Sequence, residues 1–419
     1  MDSITAAANM ANTIIGSGIL GLSACADAGG VLLYSVFLVA ACLSTITGVL
    51  FLVGASEMSS SAKSYESLAS TAMGPTGVLI TTAAVLVQCL GAMTSYLMIL
   101  CDVGPQIIGT VSPVRIESSV LLCVFIILLW FLCCLRDLRS LRGVSLFAVG
   151  VYMAFSITTV IYAIGGFTEQ VDDKPPVEWV KFSPDVIVRF PTCLFAFNCA
   201  TVVLPIYSQL REPSIKTMRT VAGLAYGFVF VVYFCSSIAG YMTFRGQVKS
   251  NLLDNYSQDS QWLNVMRLLM TVATIFSYPF SCVGARQALA YVLFRPDKPG
   301  PLPFHQHVGL STFIVLFTAT CAMKIPDLKY AFGITGSTAT VLVAYLLPSL
   351  FHLIMTYRDT LPAAKNTRSY GSVTLQKETR AGAFLGRDIG NVLMIGVSCV
   401  VMAVALTTNI TVLMQGRDS

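Results

Sequence analysis

Long apolar runs alternate with short polar segments along almost the whole chain. A helix needs about 20 mainly apolar residues to cross the hydrocarbon core of a bilayer. On that length scale the pattern predicts eleven transmembrane helices, at about 4–26, 31–56, 76–109, 117–134, 144–167, 186–208, 220–244, 262–293, 308–323, 332–356 and 389–413. The third and eighth runs are longer than a bilayer requires, so we expect these helices to tilt or to extend beyond the lipid.

The composition supports an all-α integral membrane protein. Apolar residues make up 55% of the chain and charged residues only 11%, whereas soluble domains carry about 25% charge. The net charge of +5 is spread over the loops, so it does not indicate nucleic-acid binding. The sequence contains no nucleophile paired with a base, no phosphate-binding loop and no pair of catalytic carboxylates. We therefore expect neither an enzyme nor an organic cofactor.

The distribution of basic residues predicts the orientation. Lys and Arg are concentrated in loops such as 135–143 and 357–387, which are cytoplasmic if the N-terminus is cytoplasmic. An odd number of helices then places the C-terminus on the extracellular or lumenal side. The glycosylation sequons at Asn255 and Asn409 fall on or next to that side. The sequence leaves open whether the membrane is the plasma membrane or an endolysosomal or vacuolar membrane.

Two of the predicted helices contain residues that interrupt a helix. The first has Gly16, Gly18 and Gly21 within six residues, and each glycine costs about 1 kcal/mol relative to alanine. In the sixth, the segment 195–201 precedes Pro205, which removes one backbone hydrogen bond. Unpaired backbone groups at membrane depth are tolerated where they line a cavity.

The positions of the two breaks predict an inverted repeat. Helices five apart in a serial topology run in opposite directions, and broken helices related in this way surround a substrate site near the bilayer midplane. The alternative is that the glycines serve close helix packing and that the proline only kinks its helix.

Polar groups in other helices suggest two further features. In the eighth helix, hydroxyls recur along one stripe and could supply oxygen ligands to a cation, or could bond back to their own helix: Thr271, Thr274, Ser277 and Ser281. Asp102 and Arg267 both lie within a few turns of the outer ends of their long helices, on the side opposite the N-terminus. We expect them to face each other as a structural clamp, with a proton relay as the alternative.

Three segments of the sequence resemble a known family. Residues 12–22 (NTIIGSGILGL), residues 195–213 (FAFNCATVVLPIYSQLREP) and residues 274–279 (TIFSYP), running on to Arg286, are similar to helices one, six and eight of the amino acid/auxin permease family. The similarity is closest to the sodium-coupled neutral amino acid transporter branch, solute carrier family 38. It runs in order over nearly the whole chain.

The resemblance implies a single transporter domain over 1–419 with a LeuT-like core. Its two inverted repeats would span about 4–167 and 186–356, and the helix at 389–413 would lie outside them. The resemblance also implies an amino acid site between the two broken helices, at Gly16, Ser17, Gly18, Phe195, Ala196 and Phe197. A sodium site would use Asn12, the backbone near Thr13, Thr274 and Ser277.

These features together predict a secondary active transporter of neutral amino acids that works by alternating access as a monomer in the bilayer. Sodium symport is favoured over proton symport because no Asp, Glu or His lies near the proposed ion ligands. The alternatives are proton coupling and an amino acid sensor with little turnover.

Overall fold

The computed structural model of the protein describes residues 1–59, 64–111, 118–135, 142–166, 175–294, 302–360 and 389–415. Regular structure in these ranges is helical. The α-helices are α1 (Ser3–Ile14), α2 (Ile19–Glu57), α3 (Tyr65–Val111), α4 (Ser118–Cys134), α5 (Arg142–Gly165), α6 (Asp185–Arg189), α7 (Pro191–Ala196), α8 (Ala200–Ser208), α9 (Ile215–Phe244), α10 (Gln261–Phe294), α11 (Phe304–Lys324), α12 (Leu328–Thr335), α13 (Leu347–Thr360) and α14 (Ile389–Gln415).

These helices correspond to the eleven predicted spans. The first span is α1 plus the start of α2, and the second is the rest of α2, which turns at Gly30 (φ 75°). The sixth span is α6, α7 and α8 in succession. The tenth joins α12 to α13 through two π-helical turns, Gly336–Thr340 and Leu342–Leu346. Each remaining span is a single helix, so the prediction of eleven spans is confirmed.

Length and composition agree with membrane insertion. Within the described ranges, nine helical stretches are long and apolar enough to cross a bilayer, and Val120–Cys134 is a shorter apolar helix. The third and eighth spans are over-long, as predicted. α10 covers 34 residues, and α3 is interrupted at Gly74 (φ 67°) and then continues from Pro75 to Val111. Large apolar side chains such as Val231 on α9 and Val400 on α14 are exposed, as expected for a surface that faces lipid.

The two ends of the helix bundle are distinguished by the loops they carry. At one end the Met1 ammonium group donates to the Gln209 carbonyl at 2.7 Å, and the Arg211 N–H donates to the Met1 carbonyl at 3.1 Å. We call this the N-terminal end. The opposite, distal end carries the loop of residues 245–260 between α9 and α10, which we call the distal loop.

The predicted clamp between Asp102 and Arg267 is wrong. Arg267 is fully buried, and its guanidinium group donates to carbonyl oxygens of the distal loop and to one side chain. These acceptors are the carbonyls of Leu253 (3.3 Å), Tyr256 and Ser257 (3.2 Å) and Oδ1 of Asn264 (2.6 Å). A guanidinium group has five N–H donors, so it can hold several turns of an irregular loop together.

The two glycosylation sequons lie in different environments. The Asn409 side chain is fully buried and donates to the Ala405 carbonyl, so this sequon cannot carry a glycan in the folded protein. Asn255 remains in the distal loop, where its amide donates to the Gln247 carbonyl at 2.7 Å. Most of the basic loops 135–143 and 357–387 lies outside the described residues.

Replacing Arg267 should loosen the distal end. The Arg267→Leu change leaves several buried acceptors without a donor, and each such loss costs about 1–3 kcal/mol. We expect a lower melting temperature in detergent and faster proteolysis within the distal loop. Arg219→Leu, at an exposed position on α9, is the matched control. Equal melting temperatures and cleavage rates for both variants would contradict this role of Arg267.

Candidate functional site

The first break separates α1 from α2 by four residues, Ile15–Gly18. The backbone N–H groups of Gly16, Ser17 and Gly18 donate to no backbone carbonyl in the described part of the chain. These groups stand at the start of a helix, where free N–H donors and the helix dipole favour an anion. The break therefore offers a binding position for a carboxylate.

The second break separates α7, which ends at Ala196, from α8, which begins at Ala200. The side chain of Asn198 accepts a hydrogen bond from the Ala200 N–H at 3.1 Å and so stabilises the start of α8. The final carbonyls of α7 have no partner within their own helix. They face α9 across the break.

Two tyrosines of α9 bind the carbonyls of both breaks. The Tyr233 hydroxyl lies 2.9 Å from the Ile14 carbonyl and 3.2 Å from the Ala196 carbonyl, so it bridges the first break to the second. The Tyr226 hydroxyl lies 3.3 Å from the Phe197 carbonyl. Seven residues make about two helical turns, so both hydroxyls project from one face of α9. Sequence reasoning missed them, because two tyrosines seven residues apart in an apolar helix do not by themselves indicate a binding role.

The two breaks are in direct contact through their smallest residues. A Cβ atom built at Gly18 would lie 2.8 Å from the Cβ of Ala196, so a glycine is required for this approach. Gly18 therefore serves close packing of the two breaks, the role considered as an alternative for the glycines, and its backbone N–H remains a candidate donor to a ligand. Gly16 is different, because a Cβ atom there would meet nothing within 4 Å.

The aromatic residues of the second break pack against neighbouring helices. Phe197 is fully buried, with its ring centroid 5.3 Å from that of Tyr233. The Phe195 ring lies 5.1 Å from that of Phe332 on α12. The structure thus brings residues 16–18 and 195–197 together. Because the rings of Phe195 and Phe197 pack against neighbouring helices, mainly backbone atoms of the second break face the first break.

Two of the predicted sodium ligands line one small cavity. Asn12 of α1 and Ser277 of α10 lie in the wall of a cavity of about 50 Å³, together with Tyr152 of α5. The Tyr152 hydroxyl also lies close to Thr274 and Ser277. The Thr13 side chain is exposed and donates to the Asn9 carbonyl at 3.0 Å, so the predicted contribution of Thr13 would come from its backbone.

The α10 hydroxyls bond to their own helix. Thr274 Oγ1 donates to the Met270 carbonyl and Ser277 Oγ to the Ala273 carbonyl, both at 2.8 Å. Bonding back to their own helix was the alternative that the sequence left open to cation binding by these hydroxyls. It is compatible with a cation, because each hydroxyl keeps its lone pairs as acceptors after its hydrogen is used. The amide, hydroxyl and phenol oxygens around the cavity are the ligand type that hard cations take.

Comparison with a solved structure identifies the fold. The chain is similar to the structure titled "Inward facing conformation of Mhp1", with a TM-score of 0.56 and 13% sequence identity, over 99% of this chain and 91% of that chain. That protein has the LeuT-like transporter fold, so the predicted fold class is confirmed.

Comparison with protein families identifies the class of protein. A model of the family described as transmembrane amino acid transporter protein matches residues 2–373. Family and fold are those of a multi-pass membrane transporter, which confirms the prediction that the protein is not an enzyme. The chain belongs to the transmembrane amino acid transporter family.

Proposed function

We propose that this protein is a sodium-coupled symporter of neutral amino acids that binds its substrate between the two helix breaks. The fold and the family already make it a secondary transporter. The proposal adds the kind of substrate, the coupling ion and the site. Alternating access would expose the breaks first to one side of the membrane and then to the other.

The main support for this proposal is that backbone N–H donors and backbone carbonyl acceptors lie close together at the two breaks. The N–H groups of residues 16–18, which donate to no backbone carbonyl among the described residues, suit a carboxylate, while the carbonyls of Ile14 and Ala196 meet at one point. The Tyr233 hydroxyl occupies that point and has a single hydrogen to share between two acceptors. An ammonium group has three donors, so it matches the two carbonyls better. The arrangement suits the zwitterionic head of an amino acid.

The surroundings of the breaks favour a neutral side chain. Segments 12–21 and 195–205 contain no Asp, Glu, Lys, Arg or His. A charged side chain buried there would have no partner from these segments, which is costly in a low-dielectric site. Phe195 and Phe332 supply apolar surface instead.

The small cavity beside the first break supports sodium as the coupling ion. Its polar wall consists of the Asn12 amide, the Ser277 hydroxyl and the Tyr152 phenol, all neutral groups. The cavity adjoins Ile15, one residue after the Ile14 carbonyl of the substrate site. A bound ion would therefore order the same backbone that binds substrate, which is a direct means of coupling.

The proposal also includes an orientation. The N-terminal end would face the cytoplasm and the distal end the extracellular or lumenal side, in agreement with the basic loops. The protein would work as a monomer, because both breaks and the ion cavity lie within one chain.

The first prediction from this proposal concerns the driving ion. Uptake of a labelled amino acid panel into proteoliposomes should require an inward sodium gradient. Asn12→Ala and Ser277→Ala should each raise the sodium concentration for half-maximal uptake about tenfold, as expected for loss of one ligand worth about 1.4 kcal/mol. Thr320→Ala is the control, since it removes a similar bond within a helix (2.8 Å to the Leu316 carbonyl) on an exposed face of α11.

Two results would decide against sodium. Uptake that persists when choline replaces sodium but collapses with the proton gradient would indicate proton coupling. Binding without uptake under any gradient would indicate a sensor.

The second prediction separates the two glycines of the first break. Gly16→Val should leave the melting temperature nearly unchanged, because the added atoms enter open space, but should abolish uptake by filling the carboxylate position. Gly18→Ala should lower both the melting temperature and uptake, because its Cβ meets Ala196. Gly227→Ala, with open space around it, is the control. Normal transport by Gly16→Val would place the pocket elsewhere.

The third prediction concerns the bridging tyrosine. Tyr233→Phe removes the hydroxyl that joins the two breaks and should lower uptake at least tenfold. Tyr34→Phe is the control, because it loses a buried hydroxyl bond to Ser237 (2.7 Å) away from the breaks. Equal uptake by the two variants would show that the bridge has no part in transport.

A further inference from the structure

A second polar cavity lies at the distal end, apart from the breaks. Its volume is about 250 Å³, and its wall carries charged residues of both signs from four parts of the chain. The acidic residues are Asp102 of α3, Asp254 of the distal loop and Asp327 at the start of α12. The basic residues are Arg189 of α6 and Lys249 of the distal loop.

The charges of opposite sign in this cavity do not pair with one another. Among the described residues, the ion pairs are Lys181 with Glu178 and Arg189 with Asp185, the latter at 3.7 Å. Neither pair joins the acidic and basic residues across the cavity. Burial raises the pKa of Asp254, so this carboxylate is partly removed from water and would gain from a cationic partner.

A buried amide in the wall also indicates a ligand. Asn251 is only 2% exposed, and its Oδ1 accepts from the Leu253 N–H at 3.2 Å. Its Nδ2 lies beside the Asp102 carboxylate but makes no hydrogen bond with any residue that the structure describes. Nη1 of Arg189 is likewise buried without a bond. Buried donors of this kind are rare because an unmet donor costs about 1–3 kcal/mol.

The combination of groups selects the chemistry of the ligand. A simple anion would be repelled by three carboxylates, and a simple cation by the guanidinium and ammonium groups. The described residues contain no group of three metal-ligating side chains. A small molecule with one positive and one negative group satisfies both sets at once.

We propose that this cavity is a second, distal binding site for the zwitterionic head of an amino acid. The inference rests on the proposed function in one respect, because the ligand is of the class proposed for the central site. The carboxylate of the ligand binds Arg189, Lys249 and the Asn251 amide. Its ammonium group binds the carboxylates of Asp254 and Asp327.

The distal site lies on a path to the breaks. The Tyr96 side chain of α3 lies close to Ser17 of the first break, and Asp102 follows six residues later, about 9 Å along the helix. Phe332, which contacts Phe195 of the second break, comes one turn after Leu328 in the cavity wall. The distal cavity and the breaks are therefore connected along α3 and α12.

The test is equilibrium binding of tritiated L-alanine to the purified full-length protein in lipid nanodiscs. Asp254→Asn removes a charge but keeps an oxygen that accepts from Gln106 Nε2. Asp327→Asn likewise keeps an oxygen that accepts from the Lys329 N–H, so both variants should fold. We expect a distal site that each variant weakens about tenfold, the loss expected for one charge-assisted bond. Gly16→Val should leave this site intact. Asp259→Asn, at an exposed position of the same loop, is the control.

Competition identifies the groups recognised. N-acetyl-L-alanine lacks the ammonium group and L-alaninamide lacks the carboxylate, so neither should displace alanine from the distal site in the Gly16→Val variant. Displacement by both compounds would overturn the proposal. Loss of all alanine binding in Gly16→Val, with normal binding in Asp254→Asn and Asp327→Asn, would also overturn it.

Failure of the distal site and failure of the proposed transport function would give different results. Uptake of the amino acid panel by wild-type proteoliposomes tests transport without reference to the distal cavity. Normal uptake with unchanged binding in both Asp variants would refute the distal site alone. Absence of uptake together with alanine binding that depends on Asp254 and Asp327 would refute transport and retain the distal site.

Discussion

The fold depends on one constraint, which is that backbone polar groups inside a membrane need partners. Two helices are broken within apolar, membrane-spanning stretches, and their free carbonyls would be unfavourable without a donor. Tyr233 satisfies the constraint by placing one hydroxyl between the carbonyls of Ile14 and Ala196. Gly18 makes the arrangement possible, because any side chain there would separate the two breaks. In the proposed function, an ammonium group with more donors replaces the hydroxyl at the same carbonyls, so the contact that stabilises the breaks also marks the proposed binding site.

The small cavity between α1, α5 and α10 is linked to this arrangement through the chain itself. Asn12 and Ile15 line the cavity, while the Ile14 carbonyl belongs to the proposed substrate site. The proposed ion and substrate sites would therefore share one stretch of backbone, and ordering that stretch at either site would lower the cost of binding at the other. No long-range pathway is needed for ion and substrate to act together.

At the distal end a buried cation organises an irregular segment. Arg267 binds carbonyls on both sides of Asp254 and so fixes the loop that supplies Lys249, Asn251 and Asp254 to the distal cavity. The guanidinium group donates to backbone carbonyls and to the Asn264 side chain rather than to a carboxylate. The acidic residues of the distal cavity therefore form no ion pair with Arg267.

The sequence by itself determined the eleven spans, the two breaks and the family, because hydrophobic length and helix-breaking residues act locally. It also placed Asn12, Ser277 and residues 16–18 and 195–197 near a site. Tertiary structure decided the rest. Only packing shows that Gly18 serves contact whereas Gly16 faces open space, that Arg267 binds a loop instead of Asp102, and that the Asn409 sequon is buried. Tyr226 and Tyr233 could not be singled out, since a tyrosine in an apolar helix has no distinctive pattern until the carbonyls it meets are positioned. These contacts join residues up to 219 positions apart, such as Ile14 and Tyr233, and local patterns carry no information at that range.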